Sequence, residues 1–375
     1  MIDAAQIPSL RRLDELDAAR AESGPASRLA ALRAAAPRLR ERLAEAGPAI
    51  AVRSFDIATF PYPTAFGLEG AARSPAPYLM LKNRMQLVQV SAGDSHINIL
   101  VNPSDSERAR AAPFFANQIE RYGKFVTTKV LAKIHGTVQG ALAEVGVDPD
   151  DIDFVTFDHL HVQDLRGLFG TETPEPGKRE PTQPLLPNAK LLVQPEELRT
   201  IASPHPLQAP WYVPSGAAGV PSDRFVVLDG DYAVGDAGLA IVRTPGHTEG
   251  NHTIAIITDT GLWTISENGV AVEAYVPEHS AIPGVRKHAR YWGAEVVLNA
   301  NTRERSLDQY SSMVLEKTLA HPAPARPEFP QHLPSSELVG SALAPGLRPT
   351  FSHGGLSYGT VRQKRDRDRA PPLSA

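Results

Sequence analysis

Residues 154–164, which read FVTFDHLHVQD, are the part of the chain that indicates a fold most directly. The first four residues are typical of a short buried strand, and His159 and His161 follow at its end. Side chains two residues apart on a strand point to the same side, so both imidazoles can be presented to one metal ion. Taken alone, the stretch also fits a polar strand end at which Asp164 caps the next helix.

Residues 244–250, which read TPGHTEG, favour the metal-binding interpretation. They lie between the apolar stretches LAIVR and HTIAII, both of which have strand character. Pro245 and Gly246 predict a tight turn that places His247 at a strand end. A third imidazole delivered there can complete a three-histidine site with an open coordination position. The alternative for His247 alone is a hydrogen-bonded turn histidine.

Together, the two stretches resemble the motifs of the metallo-β-lactamase superfamily. Its members carry His-x-His-x-Asp-His after one strand and Thr-Pro-Gly-His-Thr-x-Gly between later strands. The resemblance covers roughly residues 85–320. It implies an α/β fold, specifically an αββα sandwich with a metal site at one edge between the sheets. It also implies that His159, His161 and His247 are metal ligands.

The chain departs from the family pattern where the second metal ion would bind. The family's Asp and His are replaced by Gln163 and Asp164, and glutamine offers only a neutral oxygen to a metal. The family's bridging carboxylate position is taken by Glu267 or by Asn268. The place of the last family histidine, in residues 296–301, reads VVLNAN and contains no histidine. The resemblance therefore implies an intact first metal site and an altered second one.

We accordingly predict one divalent metal ion held by three histidines and a carboxylate. Three histidines suit zinc, whereas histidine with carboxylate also suits iron or manganese. Asp164 and Glu267 are the candidate carboxylates, both as metal ligands and as the general base that accepts a proton from water.

Composition restricts the function further. The chain has 375 residues, no cysteine and a net charge of −4, which exclude thiolate metal sites and argue against a broad nucleic-acid surface. The N-terminus has no secretory leader pattern, and no apolar stretch approaches the ~18 residues that a membrane span needs. We therefore expect a cytoplasmic protein with a small-molecule substrate and without nucleic-acid or membrane partners. A homodimer remains open.

The chain is predicted to have four parts. These are an N-terminal helical extension with two short helices (1–48), the metallo-β-lactamase-like domain (49–320), an irregular C-terminal extension (321–360) and a disordered tail (361–375). Within the domain, a regular apolar stripe predicts one long helix over residues 113–144.

Three functions are compatible with these observations. The first is a metal-dependent hydrolase of a small ester, lactone or related substrate, in which the metal activates water. The second is a degenerate member of the fold that binds a ligand without hydrolysing it, which the altered second site favours. The third is a mononuclear iron oxidoreductase, although the family's iron enzymes keep more carboxylates than this chain has. The three histidines favour the hydrolase.

Overall fold

The computed structural model describes residues 1–364, apart from the side chains of residues 128–130. Its strands are β1 (Ile2–Asp3), β2 (Leu10–Leu13), β3 (Ala51–Pro63), β4 (Tyr78–Ala92), β5 (Ser95–Val101), β6 (Lys133–Ile134), β7 (Phe154–Thr156), β8 (Lys190–Val193), β9 (Phe225–Val227), β10 (Asp231–Val234), β11 (Leu239–Arg243), β12 (His252–Thr258), β13 (Gly261–Ser266), β14 (His332–Pro334), β15 (Ser336–Val339) and β16 (Ser357–Gly359).

The α-helices are α1 (Asp17–Arg20), α2 (Pro25–Ala46), α3 (Thr64–Gly67), α4 (Pro113–Tyr122), α5 (Val138–Val145), α6 (Arg166–Phe169), α7 (Pro195–Ala202), α8 (Val285–Trp292) and α9 (Ser306–Leu319). A π-helix covers Val126–Leu131. Among the described residues, no helix combines the length and the apolar character needed to cross a bilayer.

The strands form two sheets. The first has the order β1-β9-β8-β7-β5-β4-β3-β16, with β15 also paired to β4 and β6 to β3. The second has the order β14-β13-β12-β11-β10-β2. In the first sheet, β5, β7 and β8 run parallel, so their carboxyl ends meet at one edge. The His-x-His loop leaves β7 at that edge.

The two sheets pack face to face, and β12 shows how its sequence allows this. Ile254 and Ile256 point into the core between the sheets, together with Val88 and Ile99 of the first sheet. The alternate residue Ile257 points to the opposite face, where α2 and α9 cover the second sheet. A strand with apolar residues on both faces must be buried on both faces.

Helices also cover the outer face of the first sheet. Residues of α5, α6 and α7 pack there against Leu87, Leu100 and Val155. The layers are therefore helix, sheet, sheet and helix, and this is the α/β sandwich that the sequence predicted.

The N-terminal segment differs in detail from the predicted pair of helices. Residues Leu10–Leu13 form a strand that pairs with β10, and Ile2–Asp3 pair with β9. The helical part is mainly the single long helix α2, which packs on the second sheet. The segment thus contributes a strand to each sheet. The prediction of a helix was wrong for residues Leu10–Leu13 because leucines at both ends of a short stretch also fit a strand whose two ends are buried.

The predicted single helix over residues 113–144 is also interrupted. Helix α4 ends at Tyr122, and the next residue, Gly123, has a φ of 81°, a conformation that favours glycine. The chain then forms the π-helix and β6. Helix α5 begins after its capping residue Thr137, whose side chain accepts a hydrogen bond from the amide of Gly140. Gly123 and Thr137 are local signals for a helix end and a helix start. The sequence prediction gave more weight to the regular apolar stripe and therefore missed them.

The segment predicted to be irregular, residues 321–360, contains three short strands. β14 pairs with β13, β15 with β4, and β16 with β3. These partners are distant in sequence, so no local pattern indicates the pairing. Most of the tail predicted to be disordered, residues 365–375, lies outside the described residues.

Candidate metal centre

Loops from both sheets bring three histidines together. The loop after β7 carries His159 and His161, and the Pro-Gly turn after β11 carries His247. Their side chains are buried, with exposed fractions of 7%, 4% and 1%. One nitrogen from each ring lies within 4.8 Å of the corresponding nitrogens of the others. Within residues 1–364 this is the group of side chains best suited to hold a metal ion.

The nitrogen atoms of two of these rings are close enough to share an ion. His161 Nδ1 lies 3.1 Å from His247 Nε2. Two nitrogens that are each about 2.0–2.1 Å from one ion are separated by a little over 3 Å. The other nitrogen of His161 contacts Gln208 Oε1 at 2.9 Å, which orients the ring so that Nδ1 faces the centre. The donor set therefore fits a divalent metal.

The charge states of the histidines differ. Burial, together with the neighbouring positive charge of His159, holds the pKa of His161 and His247 well below the ordinary value. Both are thus neutral and retain the lone pairs that a metal needs. Burial also opposes the charged form of His159, but the charges of Asp158 and Glu267 outweigh this and raise the pKa of His159 to about 9.

Buried acids surround the histidines and favour a cation at their centre. Asp158 Oδ2 lies 3.1 Å from His159 Nδ1, which is close enough for an ion pair when the ring is protonated. The same oxygen accepts hydrogen bonds from the amide of Glu267 at 2.8 Å and from Ser335 Oγ at 2.9 Å. With Asp158 held in this way, a proton on His159 or a metal ion among the rings would balance the negative charge.

Glu267 and Asn268, the two candidates for the bridging position, have different surroundings. The side chain of Glu267 lies at the cavity that the histidines line. Its burial raises the pKa of its carboxyl group to about 7. Asn268 instead accepts a hydrogen bond from the amide of His247 at 2.9 Å and donates one to Glu316 at 2.8 Å, so it supports the turn from behind.

The structure places Asp164 in an arginine cluster rather than among the histidines. Its carboxylate accepts hydrogen bonds from Arg166 Nε at 2.8 Å, Arg166 Nη2 at 2.6 Å and Arg108 Nη1 at 3.2 Å. Both arginines also pair with Glu175 in the Pro-rich loop after α6. The backbone amide of Arg166 bonds to Asp164 Oδ1 at 3.1 Å, as at a helix start.

The other positions that depart from the family pattern have partners within the protein. Gln163 Nε2 donates to Ser104 Oγ at 2.9 Å. Asn299 accepts a hydrogen bond from Tyr62 at 2.7 Å and donates to the carbonyl oxygen of Glu267 at 3.2 Å. Asn299 Nδ2 also lies 3.2 Å from His247 Nδ1.

The histidines open onto a cavity of about 1070 Å³, part of which is continuous with solvent. One wall consists of aromatic rings. Phe114 packs on Trp211 with ring centres 4.7 Å apart, and Phe115 packs on Phe60 at 5.7 Å. Trp211 in turn lies 6.2 Å from the ring of His161. A largely apolar cavity with a few convergent polar groups is typical of a small-molecule site.

Two facing sheets between helical layers, with three histidines contributed by loops of both sheets, are what the sequence resemblance implied. The chain has a metallo-β-lactamase-like fold. A comparison with protein-family models and with curated proteins finds no match.

The solved structures that the chain resembles in fold include three hydrolases. One is an N-acyl homoserine lactone hydrolase with the product N-hexanoyl-L-homoserine at its catalytic metal centre (19% identity, 66% of this chain and 90% of that one, TM-score 0.45). Another is AidC, a dizinc quorum-quenching lactonase (12% identity, 70% and 80%, TM-score 0.43). The third is AbOPH, a hydrolase of the β-lactamase superfamily (13% identity, 84% and 95%, TM-score 0.43).

One residue that joins the two histidine loops of this metallo-β-lactamase-like fold was not found from the sequence. Glu197 of α7 is buried and accepts hydrogen bonds from the amide of Leu160 at 2.8 Å, from Thr248 Oγ1 at 2.6 Å and from Tyr212 at 3.0 Å. It thus ties the His-x-His loop to the turn that carries His247. The one available signal was the acidic first turn of a helix that begins with Pro195.

Proposed function

We propose that the protein is a metal-dependent hydrolase of a small ester, lactone or related substrate. The observation that carries the proposal is the convergence of His159, His161 and His247, all buried, at a largely apolar cavity. We further propose that they hold a single divalent ion. Zinc is the first choice because the ligand nitrogens are all imidazole, and iron and manganese are the alternatives.

A bound divalent ion would supply Lewis acidity and lower the pKa of water at the site. The protein's own groups supply the rest. The aromatic wall excludes water from the apolar part of the substrate, and Gln208 and Asn299 hold the rings of His161 and His247 in position. Such fixed donors and rings avoid reorganisation during the reaction.

We propose Glu267 as the general base. Its side chain lies at the cavity that the three histidines line, within reach of water bound there. In the metal-free protein, burial raises the pKa of its carboxyl group to about 7, so it binds a proton more tightly than an exposed glutamate. Ser335 Oγ lies 3.4 Å from Glu267 Oε2 and holds the carboxylate at the cavity. For Asp164 we propose a positioning role instead, because both of its carboxylate oxygens accept hydrogen bonds from arginine side chains.

A second candidate function is a binding protein without hydrolase activity. The observation that favours it is the 3.1 Å separation of His161 Nδ1 and His247 Nε2, which also suits a hydrogen bond between neutral rings. The two histidines can therefore satisfy each other without a metal. Metal content separates the two functions.

The test is elemental analysis of protein purified without chelators or a histidine tag, combined with assays on neutral esters and lactones. We expect one equivalent of zinc, iron or manganese and measurable hydrolysis. His159→Ala should lose both. The matched control is His279→Ala, which replaces an exposed histidine outside the cavity and should leave both unchanged.

Two results would contradict the proposal. Protein that remains metal-free after incubation with each of the three ions would exclude the metal-dependent reaction. Two tightly bound equivalents per chain would exclude the single-ion site.

A further inference from the structure

Two asparagines at the cavity wall have buried amide nitrogens that form no hydrogen bond among the described residues. Asn102 and Asn301 line it, with exposed fractions of 2% and 9%. In the part of the chain that the structure describes, neither Asn102 Nδ2 nor Asn301 Nδ2 has a hydrogen-bond partner. A buried donor without a partner costs free energy, and most such donors in proteins are paired with protein, water or a ligand.

The orientation of Asn102 is set by the backbone around it. Asn102 follows Val101, the last residue of β5, which is paired with Thr156 at the end of β7. It has a φ of 54°, a conformation that asparagine tolerates better than most residues. Its Oδ1 accepts a hydrogen bond from the amide of Asp158 at 3.1 Å. Because the oxygen is occupied in this way, the free nitrogen is the atom left for another partner.

Asn102 and the histidine loop therefore leave the same edge of the first sheet side by side. Asn301 reaches the cavity from the other side, two residues after Asn299, which touches His247. The Oδ1 atom of Asn301 has only a long contact of 3.4 Å from Thr302 Oγ1. Both residues thus line the cavity of the three histidines, and each amide nitrogen is buried at its wall without a hydrogen-bond partner among the described residues.

The remainder of the cavity favours a neutral, partly apolar ligand. Phe60, Phe114 and Phe115 are only half-buried and present their rings to the cavity. Among the described lining residues, the Lys and Arg side chains are Lys133, which is exposed, and Arg110, which is paired with Glu107. A carboxylate on the substrate would therefore meet no free, buried cation of these types.

We propose that Asn102, assisted by Asn301, donates a hydrogen bond to a carbonyl oxygen of the substrate. We also propose that the substrate is a neutral ester or lactone whose acyl or aryl group packs on the aromatic wall. This inference rests on the proposed hydrolase function and names the substrate class of the same site. Asn102 and Asn301 thus bind the substrate, and neither is a metal ligand.

The test uses full-length, metal-loaded protein and two esters of one leaving group. Wild-type protein should hydrolyse p-nitrophenyl hexanoate with a kcat/KM at least about 10-fold above that for the anionic p-nitrophenyl succinate. Asn102→Asp keeps a side-chain oxygen that can accept the hydrogen bond from the amide of Asp158, and it removes the Nδ2 donor. It should lower kcat/KM for the hexanoate about 10-fold or more, with metal content unchanged.

Two further variants keep the inference falsifiable if Asn102→Asp does not fold. Asn102→Gly tolerates the positive φ and removes the whole amide, and Asn301→Ala removes the second donor. Both should reduce kcat/KM in the same direction. The matched control is Asn188→Asp, the same chemical change at an exposed asparagine, which should behave as wild type.

A binding measurement separates this inference from the proposed function. N-phenylhexanamide is a neutral carbonyl ligand that resists hydrolysis. Its binding can be followed by titration calorimetry and by the change in tryptophan fluorescence, because Trp211 lies in the cavity wall. If wild-type protein hydrolyses no ester, the hydrolase proposal fails, but an Asn102 variant that weakens binding of this amide about 10-fold still supports the donor role. The proposed donor role is overturned if the folded Asn102 and Asn301 variants bind this amide, and hydrolyse the hexanoate, as wild-type protein does.

Discussion

Replacing Asp164 with Asn separates a positioning role from a catalytic one. The carboxylate accepts two hydrogen bonds at Oδ2, from Arg166 and from Arg108. Asparagine keeps one oxygen, but its amide group would face the donors that now bond to Oδ2. Each hydrogen bond to a charged group contributes about 1.5–3 kcal/mol, so the loss of two sets an upper range of about 3–6 kcal/mol.

The expected cost is smaller than that range. Arg108 and Arg166 keep Glu175 as a partner and are partly exposed, so water can replace part of what is lost. We therefore expect Asp164→Asn to lower the free energy of unfolding by about 2–4 kcal/mol. A chain of 375 residues has an unfolding entropy near 0.8 kcal/mol per kelvin, so Tm should fall by about 3–5 °C.

Calorimetry and a steady-state assay on the same preparation test this prediction. If Asp164 only positions the loop, kcat per folded molecule should stay within about twofold of wild type. A general base in the same place would instead give a 10²–10⁴-fold loss of kcat with Tm unchanged. The second result would refute the reasoning from the arginine contacts.

Three other changes have defined outcomes. Glu267→Gln should lower kcat about 10²–10⁴-fold, because it removes the proposed general base. In chelated protein, the raised pKa of Glu267 stabilises the wild-type fold below about pH 4.5, and this stability is lost as the pH rises to about 7, so the variant should lack that loss. Glu197→Gln should lower Tm and weaken metal retention in dialysis against a chelator, since it disturbs both histidine loops. Gly238→Ala should destabilise the fold far more than Gly93→Ala in urea titrations, because a Cβ at Gly238 would lie 2.4 Å from Ala49 Cα whereas one at Gly93 meets nothing within 4 Å. Both glycines have positive φ, so equal losses would show that the close approach to Ala49 does not matter.

The two histidine motifs were predictable because each is a short local pattern. A strand followed by His-x-His needs only the two-residue period of a strand, and Pro245-Gly246 needs only the turn preference of those residues. The layered α/β fold followed from the resemblance that these motifs carry. Such patterns place His159 and His247 without any knowledge of distant contacts.

What could not be predicted depends on contacts between distant segments. The arginine cluster around Asp164 requires Arg108, which precedes it by 56 residues, and no spacing rule connects the two. Residues Ser336–Val339 form a strand only because the edge of β4 is available to them. Asn102 gave no signal because its importance comes from an unused nitrogen, which only the structure shows.

The contacts of the altered second site are the reason why we propose a single ion. Gln163 bonds to Ser104, Asn299 bonds to Tyr62, and Asp164 bonds to two arginines. A second ion here would have to break these bonds, and Gln163 and Asn299 would offer it only neutral amide oxygens, which are weak ligands for first-row metals. The three histidines differ from these altered positions, because they are buried beside acidic groups and line the same cavity as two unpaired amide donors. The arrangement therefore favours one cation and one neutral oxygen-bearing ligand at the same place.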